Sequence, residues 1–260
     1  MMIEISNLTF AYSGQAPIFK GFNLTVNRGE AWSVIGPSGC GKTTFLYLLA
    51  GLRRLTSGTI LIDGAPVSGP RPRTGLVLQD HGLLPWSTVK QNARLGLNIW
   101  AFYGADGRHA PADKNLDHKK ADQQVDYWLQ KLGIDGLAEK YPGRLSRGQR
   151  QRTAIARTLA MDPDLLLLDE PFSALDAPTR EDLEALIIRL NRESNITCIV
   201  VTHDIEVAVV MGQKILALQE GFNHEPLVLE NACAGIAGSR NQPAFQDQCV
   251  ELRKTLGALA

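Results

Sequence analysis

A chain of 260 residues with 44% hydrophobic content is long enough to bury one substantial core. Its 27 basic and 27 acidic residues give a formal net charge of zero, without the basic excess of a nucleic-acid binder. Four scattered cysteines (Cys40, Cys198, Cys233 and Cys249) form neither a CxxC pair nor a zinc spacing, and they suit a reducing compartment. Met1 to Phe10 lacks a basic start followed by an apolar run, so no secretion signal is expected. No apolar run reaches the roughly 18 residues of a membrane span, so any membrane role is expected to come through a partner.

In chain order, Ile3–Ile5, Leu8–Phe10 and Phe22–Val26 predict strands, the last with the alternation of a half-buried one. Ala31–Ile35 is apolar and β-prone. Gly36-Pro37-Ser38-Gly39-Cys40-Gly41-Lys42-Thr43 follows, with the spacing G-x-x-x-x-G-K-[ST], and Thr44–Ala50 then starts a helix ending near Gly51. Thr59–Ile62, Asp63-Gly64 and Ala65–Val67 predict a hairpin closed by a D-G turn. Thr74–Leu78 predicts a strand ending at Gln79, and helix is expected from about Thr88. Tyr103 to Lys120 reads as a solvated loop or frayed helix. Val125, Trp128, Leu129 and Leu132 then mark one helix face, with Trp128 expected in the core. Ser146 predicts a cap on a helix running to about Ala160. Leu165–Leu168 and Thr197–Val201 predict strands buried on both faces, separated by a helix from Pro178. Ile205–Met211 predicts a helix, Lys214–Leu218 a strand, and Val250–Leu259 has helical composition.

Buried strands alternating with amphipathic helices predict an α/β fold with a mainly parallel sheet around a phosphate-loop NTPase core, beside an antiparallel β subdomain. Ligands of such sheets bind beyond the carboxyl ends of the strands, where Lys42, Gln79, Asp169, Glu170 and His203 all fall. The glycines let backbone N–H groups turn toward a phosphate chain, and the helix dipole adds positive potential. Lys42 is expected to reach the β- and γ-phosphates of a nucleotide, and the Thr43 hydroxyl to ligate Mg²⁺. Asp169, ending its strand, suits a Mg²⁺ carboxylate, and Glu170 suits a general base for water. Gln79 could hold the attacking water or touch Mg²⁺, although alone it reads as an ordinary loop residue. His203 could hydrogen-bond the γ-phosphate, although a lone histidine after a strand is more often structural.

Leu145-Ser146-Arg147-Gly148-Gln149 resembles the LSGGQ signature of ATP-binding cassette (ABC) proteins. Tyr12, the phosphate loop, Gln79, Leu165–Asp169 with Glu170, Ser173-Ala174-Leu175-Asp176 and His203 match that family in order, over roughly residues 3 to 222. The resemblance implies the ABC ATPase fold, a single cassette over 1–222 with a helical subdomain inserted at about 86–160, and an extension over 223–260 without an expected role. It implies that Tyr12 stacks on adenine and that Gly36 to Thr44 cradle the phosphates. Thr43, Gln79 and Asp169 serve Mg²⁺, while Glu170, His203 and Gln79 serve catalysis. Ser146, Gly148 and Gln149 face ATP on the opposite subunit of a head-to-tail homodimer, and Asp176 couples the two sites. Arg147 replaces the family's glycine; activity is expected to survive, with Arg147 either adding a cation at that interface or facing solvent without effect.

Leu83-Leu84-Pro85-Trp86 and Pro171–Arg180 resemble the nitrate, sulfonate and taurine importer subgroup. That implies transmembrane permease subunits and a solute-binding protein as partners, and a peripheral place on the cytoplasmic face of the membrane. His81, Leu83, Leu84 and Trp86 would line a groove for a permease helix, the alternative being that the apolar ones, Leu84 above all, belong to the core of the helical subdomain. An exporter motor and a soluble non-transport ABC ATPase stay open as alternatives, and no nucleic-acid partner is expected.

Overall fold

The computed structural model describes residues 1–103, 117–173, 175–236 and 238–257. The chain divides into two compact units, Met1–Arg71 with Asp164–Ala260, and Pro72–Pro163. The inserted segment expected at 86–160 lies inside the second.

In the first unit, β1 (Ile3–Phe10), β2 (Phe19–Val26), β4 (Ser57–Ile62) and β5 (Ala65–Pro66) form an antiparallel sheet in the order β2-β1-β4-β5. The two strands expected near the start are one. Asn7 sits at φ 51 inside β1, and the register with β2 shifts between Ile5 and Leu8. Such an irregularity twists a strand without ending it. The D-G hairpin forms as expected, with Asp63 at φ 53 and Gly64 at φ 74, the paired left-handed residues of a type I′ turn.

The second sheet of this unit carries β3 (Ala31–Ile35) between two neighbours. On one side lie β8 (Thr197–Val201) and then β7 (Leu165–Asp169), and on the other β9 (Lys214–Ala217). These four strands are parallel, and β10 (Leu227–Glu230) adds antiparallel beyond β9. Every residue of β3, β7 and β8 is buried, which explains their unbroken apolar runs. Helices α1 (Lys42–Leu49), α5 (Ala177–Ser194) and α6 (Ile205–Met211) follow β3, β7 and β8, so the chain leaves each strand at its carboxyl end. The tail adds a 3-10 turn, Ser239–Asn241, and α7 (Pro243–Gly257), whose Phe245, Cys249 and Leu252 are buried. Sequence composition placed only the second half of that helix and missed β10.

The second unit contains β6 (Thr74–Val77) and helices α2 (Val89–Tyr103), α3 (His118–Lys131) and α4 (Arg147–Leu159), which pack on one another. Of the loop expected over 103–120, residues 104–116 lie outside the described residues. Its end is corrected: Asp117 caps α3 by accepting from Lys120 N–H at 3.1 Å, so His118 to Lys120 are helical. Trp128 is corrected too, since it is only half-buried and meets Tyr127 edge-on at 5.0 Å, while Val125, Leu129 and Leu132 fill the core. Asn92, fully buried on α2, bonds the Leu84 N–H and carbonyl at 2.8 and 3.1 Å. That pins the Leu83–Trp86 turn and leaves Trp86 72% exposed. Leu83 and Leu84 are half-buried beside it.

Candidate active site

The phosphate loop leaves β3 at Ile35. A Cβ at Gly36 would meet the Leu218 carbonyl oxygen at 2.5 Å, so a side chain is excluded there by backbone. Gly41 ends the loop at φ 105, where a Cβ would lie 2.4 Å from Ile18 Cγ2. It is the N-cap of α1. No side chain caps that end and no acid lies in its first turn, so the first N–H groups and the helix dipole remain open to an anion. Lys42 Nζ donates to the Gly36 and Pro37 carbonyls, both at 2.8 Å, and is thereby held over the loop. Cys40 packs beneath, and burial pushes its thiol up, away from reactivity.

The loop also rests on a residue that carries no motif. Buried Asn223 donates to the Cys40 carbonyl at 3.2 Å and accepts from Gln219 N–H at 2.9 Å. Only the turn signal of Gly221 marks it in the sequence.

Thr43 Oγ1 donates to Asp169 Oδ1 at 3.3 Å, joining the start of α1 to the end of β7. Asp169 is 4% exposed, and burial raises its pKa against the lowering effect of the Thr43 bond. A hydroxyl beside a carboxylate is a hard oxygen pair of the kind that suits Mg²⁺. Glu170 takes φ 48, a left-handed backbone that costs a non-glycine residue of order 1 kcal/mol. Its N–H donates to Val201 O at 3.0 Å, and its carboxylate lies 2.7 Å from His203 Nδ1. The Glu170 side chain is 11% exposed and the His203 side chain 67%, so the pair has a shielded end and an open one.

Tyr12 stands at the margin, its hydroxyl 3.1 Å from Thr44 Oγ1 and its ring edge-on to Phe10 at 5.1 Å. The Arg53 guanidinium lies 5.6 Å from the ring centroid, a cation–π contact that the sequence did not suggest. Asp176 caps α5 by accepting from the Thr179 hydroxyl at 3.0 Å and N–H at 3.3 Å, bonds that hold its carboxyl below the usual range. The first unit thus gathers Lys42, Thr43 and Thr44 with Asp169, Glu170, His203 and Tyr12, and Asp176 lies on the segment after β7.

In the second unit, Gln79 follows β6 by two residues. Ser146 caps α4 in a reciprocal box: its Oγ accepts from Gln149 N–H at 3.2 Å, and Gln149 Oε1 accepts from Ser146 N–H at 3.0 Å. The cap uses Ser146 as an acceptor, so its hydroxyl proton stays available to a ligand. The Gln149 side chain is engaged in the box. Arg147, at the first helical position, is exposed, and Gly148 is half-buried.

The ABC transporter family model matches residues 19–173 of the chain. This protein belongs to the ABC transporter family. The ABC chain is 40% identical over 256 residues to the taurine import ATP-binding protein TauB of Escherichia coli (strain K12), covering 97% of this chain and 94% of that one. Among solved structures, it resembles the ATP-binding cassette MJ0796 in a dimeric post-hydrolysis state bound to ADP and Pi. The TM-score is 0.74 at 30% identity, with 88% of this chain and 98% of that one covered. It also resembles cbiO1 of Clostridium perfringens, part of the ABC transporter complex cbiONQ, with TM-score 0.74, 28% identity and 88% of each chain covered. The α/β core and antiparallel subdomain are those of the ABC ATPase fold. The ABC chain binds ATP and hydrolyses it to drive transport. No helix among its described residues is long and apolar enough to cross a membrane.

Proposed function

We propose that this ABC ATPase is the ATP-hydrolysing subunit of an importer for a small sulfonate of the taurine kind. It acts as a head-to-tail homodimer on transmembrane permease subunits fed by a solute-binding protein, at the cytoplasmic face of the membrane. The observation that carries the enzymatic part is the convergence of Lys42, the Thr43–Asp169 pair and the Glu170–His203 pair at the carboxyl ends of adjacent parallel strands. The import direction and solute class rest on the likeness to TauB.

In this reading Tyr12 stacks on adenine, the Gly36–Thr44 amides hold the phosphates, and Lys42 neutralises the β- and γ-phosphates. Thr43, Gln79 and Asp169 would hold Mg²⁺, which when bound offsets charge on the phosphates. Glu170 takes the proton of the attacking water, and His203 positions both the carboxylate and the γ-phosphate. From the second subunit, Ser146 donates its hydroxyl proton, Gly148 brings its backbone close, and Gln149 secures the cap that aims them. Asp176 couples the two sites.

The test is Glu170→Gln in the full chain. The variant should bind ATP and accumulate as a dimer while turnover falls about 10²–10⁴-fold, the worth of a general base. Turnover at the parental rate removes Glu170 from this role. For the solute, vesicles holding the chain with its co-purifying permease should take up a small sulfonate on ATP addition, and ATP-driven efflux would reverse the direction.

A further inference from the structure

No motif marks the chain beyond Asn231, yet this segment is fastened to the core. Asn231 donates to the Val209 and Gly212 carbonyls at 2.7 and 2.6 Å, and α7 packs on α6. Between them the 3-10 turn presents Arg240. Its guanidinium lies 2.9 Å from the carboxylate of Glu184 on α5 and 3.6 Å from that of Glu206 on α6. Glu184 is 2% exposed, a depth at which a carboxylate needs a cation.

One helical turn before Glu184, Arg180 donates to Asp204 Oδ2 at 3.1 Å. Asp204 follows His203 directly and caps α6, accepting from Glu206 and Val207 N–H at 2.9 and 3.3 Å. The Arg180 Nε is buried without a hydrogen-bond partner, so this guanidinium has a donor to spare. The charges therefore run from Arg240 to Glu184, from Arg180 to Asp204, and from there along the backbone to the His203–Glu170 contact.

We propose that Arg240 is a positioning residue for His203: by satisfying Glu184 it leaves Arg180 to Asp204, which keeps the histidine facing Glu170. The idea deepens the proposed ATPase mechanism and rests on that reading for its catalytic consequence. Without Arg240, the cation among the described residues that still acts on the buried Glu184 carboxylate is Arg180, on its own helix. Leaving it unpaired costs more than loosening the half-exposed Asp204, so Arg180 moves to Glu184 and the His203 segment shifts.

The experiment compares the full chain with Arg240→Ala and with the double variant Arg240→Ala/Glu184→Leu, which removes the buried charge together with its partner. Two readouts are taken: the His203 ring resonances by NMR, assigned through His203→Gln, and kcat against KM for ATP. Arg240→Ala should move the His203 resonances and lower kcat about tenfold, within the range of network couplings, with KM changed less than twofold. The double variant should restore both. His203 resonances that stay in place in Arg240→Ala, or a defect that persists in a folded double variant, overturn the proposal. If the resonances move and recover while the parent chain hydrolyses no ATP, the positioning stands and the ATPase mechanism fails.

Discussion

Asn223 offers a sharp test of how the phosphate loop is supported, because nothing about it is chemical. Its side chain meets the loop through the Cys40 carbonyl at 3.2 Å, and it also donates to the Ile18 carbonyl at 3.3 Å and accepts from Gln219 N–H at 2.9 Å. Asn223→Ala deprives the buried Cys40 carbonyl and the part-buried Gln219 N–H of this partner, while the Ile18 carbonyl keeps Asn223 N–H at 2.8 Å. Each such loss costs about 1–3 kcal/mol, so the two together should lower unfolding stability by about 2–5 kcal/mol. Against a typical domain stability of about 5–15 kcal/mol, the variant still folds. Asn223→Asp keeps an acceptor for Gln219 but turns an oxygen toward Cys40 O in a buried place, and should be worse than alanine. Urea unfolding gives the stability change, and KM for ATP reports the loop. A loop loosened by about 1 kcal/mol raises KM about fivefold. If Asn223→Ala keeps both its urea midpoint and its KM, the loop does not depend on this support and the reasoning is wrong.

Two further outcomes follow from local geometry. Burial works against ionisation of Glu30, but hydrogen bonds from Asn27, Trp32 and Lys214 outweigh it and bring its pKa from 4.5 to about 2. Its stabilisation is present above the unfolded value and lost as pH falls from about 4.5 to about 2. Glu30→Gln should therefore cost about 1–2 kcal/mol at pH 6, discounted for partial solvent screening, and progressively less below pH 4.5 in denaturant titrations; an equal deficit at both ends would contradict the assignment. Ser146→Asp should keep the α4 cap, and hence stability, since aspartate caps as well as serine. It should nonetheless depress turnover about 100-fold by setting a carboxylate where a phosphate must approach; full turnover would dissociate the cap from the site.

Much of this architecture was readable because its strands are buried on both faces. Leu165–Leu168 and Thr197–Val201 cannot be half-exposed, and the residues that end them therefore point to the site. Motif residues were readable for the same reason: their spacing is set by a strand, a turn and a helix. What escaped notice acts through backbone atoms or distant charges. Asn223 serves a carbonyl 183 positions away, and Arg240 serves a carboxylate 56 positions away, so no local pattern records either. Trp128 misled because a helix face with four apolar positions does not say which of them lies at its rim. The entry into α3 was hidden by charge, since Asp117, Lys119 and Lys120 read as solvated coil until Asp117 is seen to cap.

The left-handed backbone at Glu170 sets folding and turnover against each other at one position. Glycine or asparagine would sit there more comfortably, but neither carries a carboxylate that reaches the histidine. Selection for heat resistance alone would drift toward those replacements and return a sturdier, silent protein. Any scheme to harden this chain must therefore hold that one residue fixed and seek its gains elsewhere.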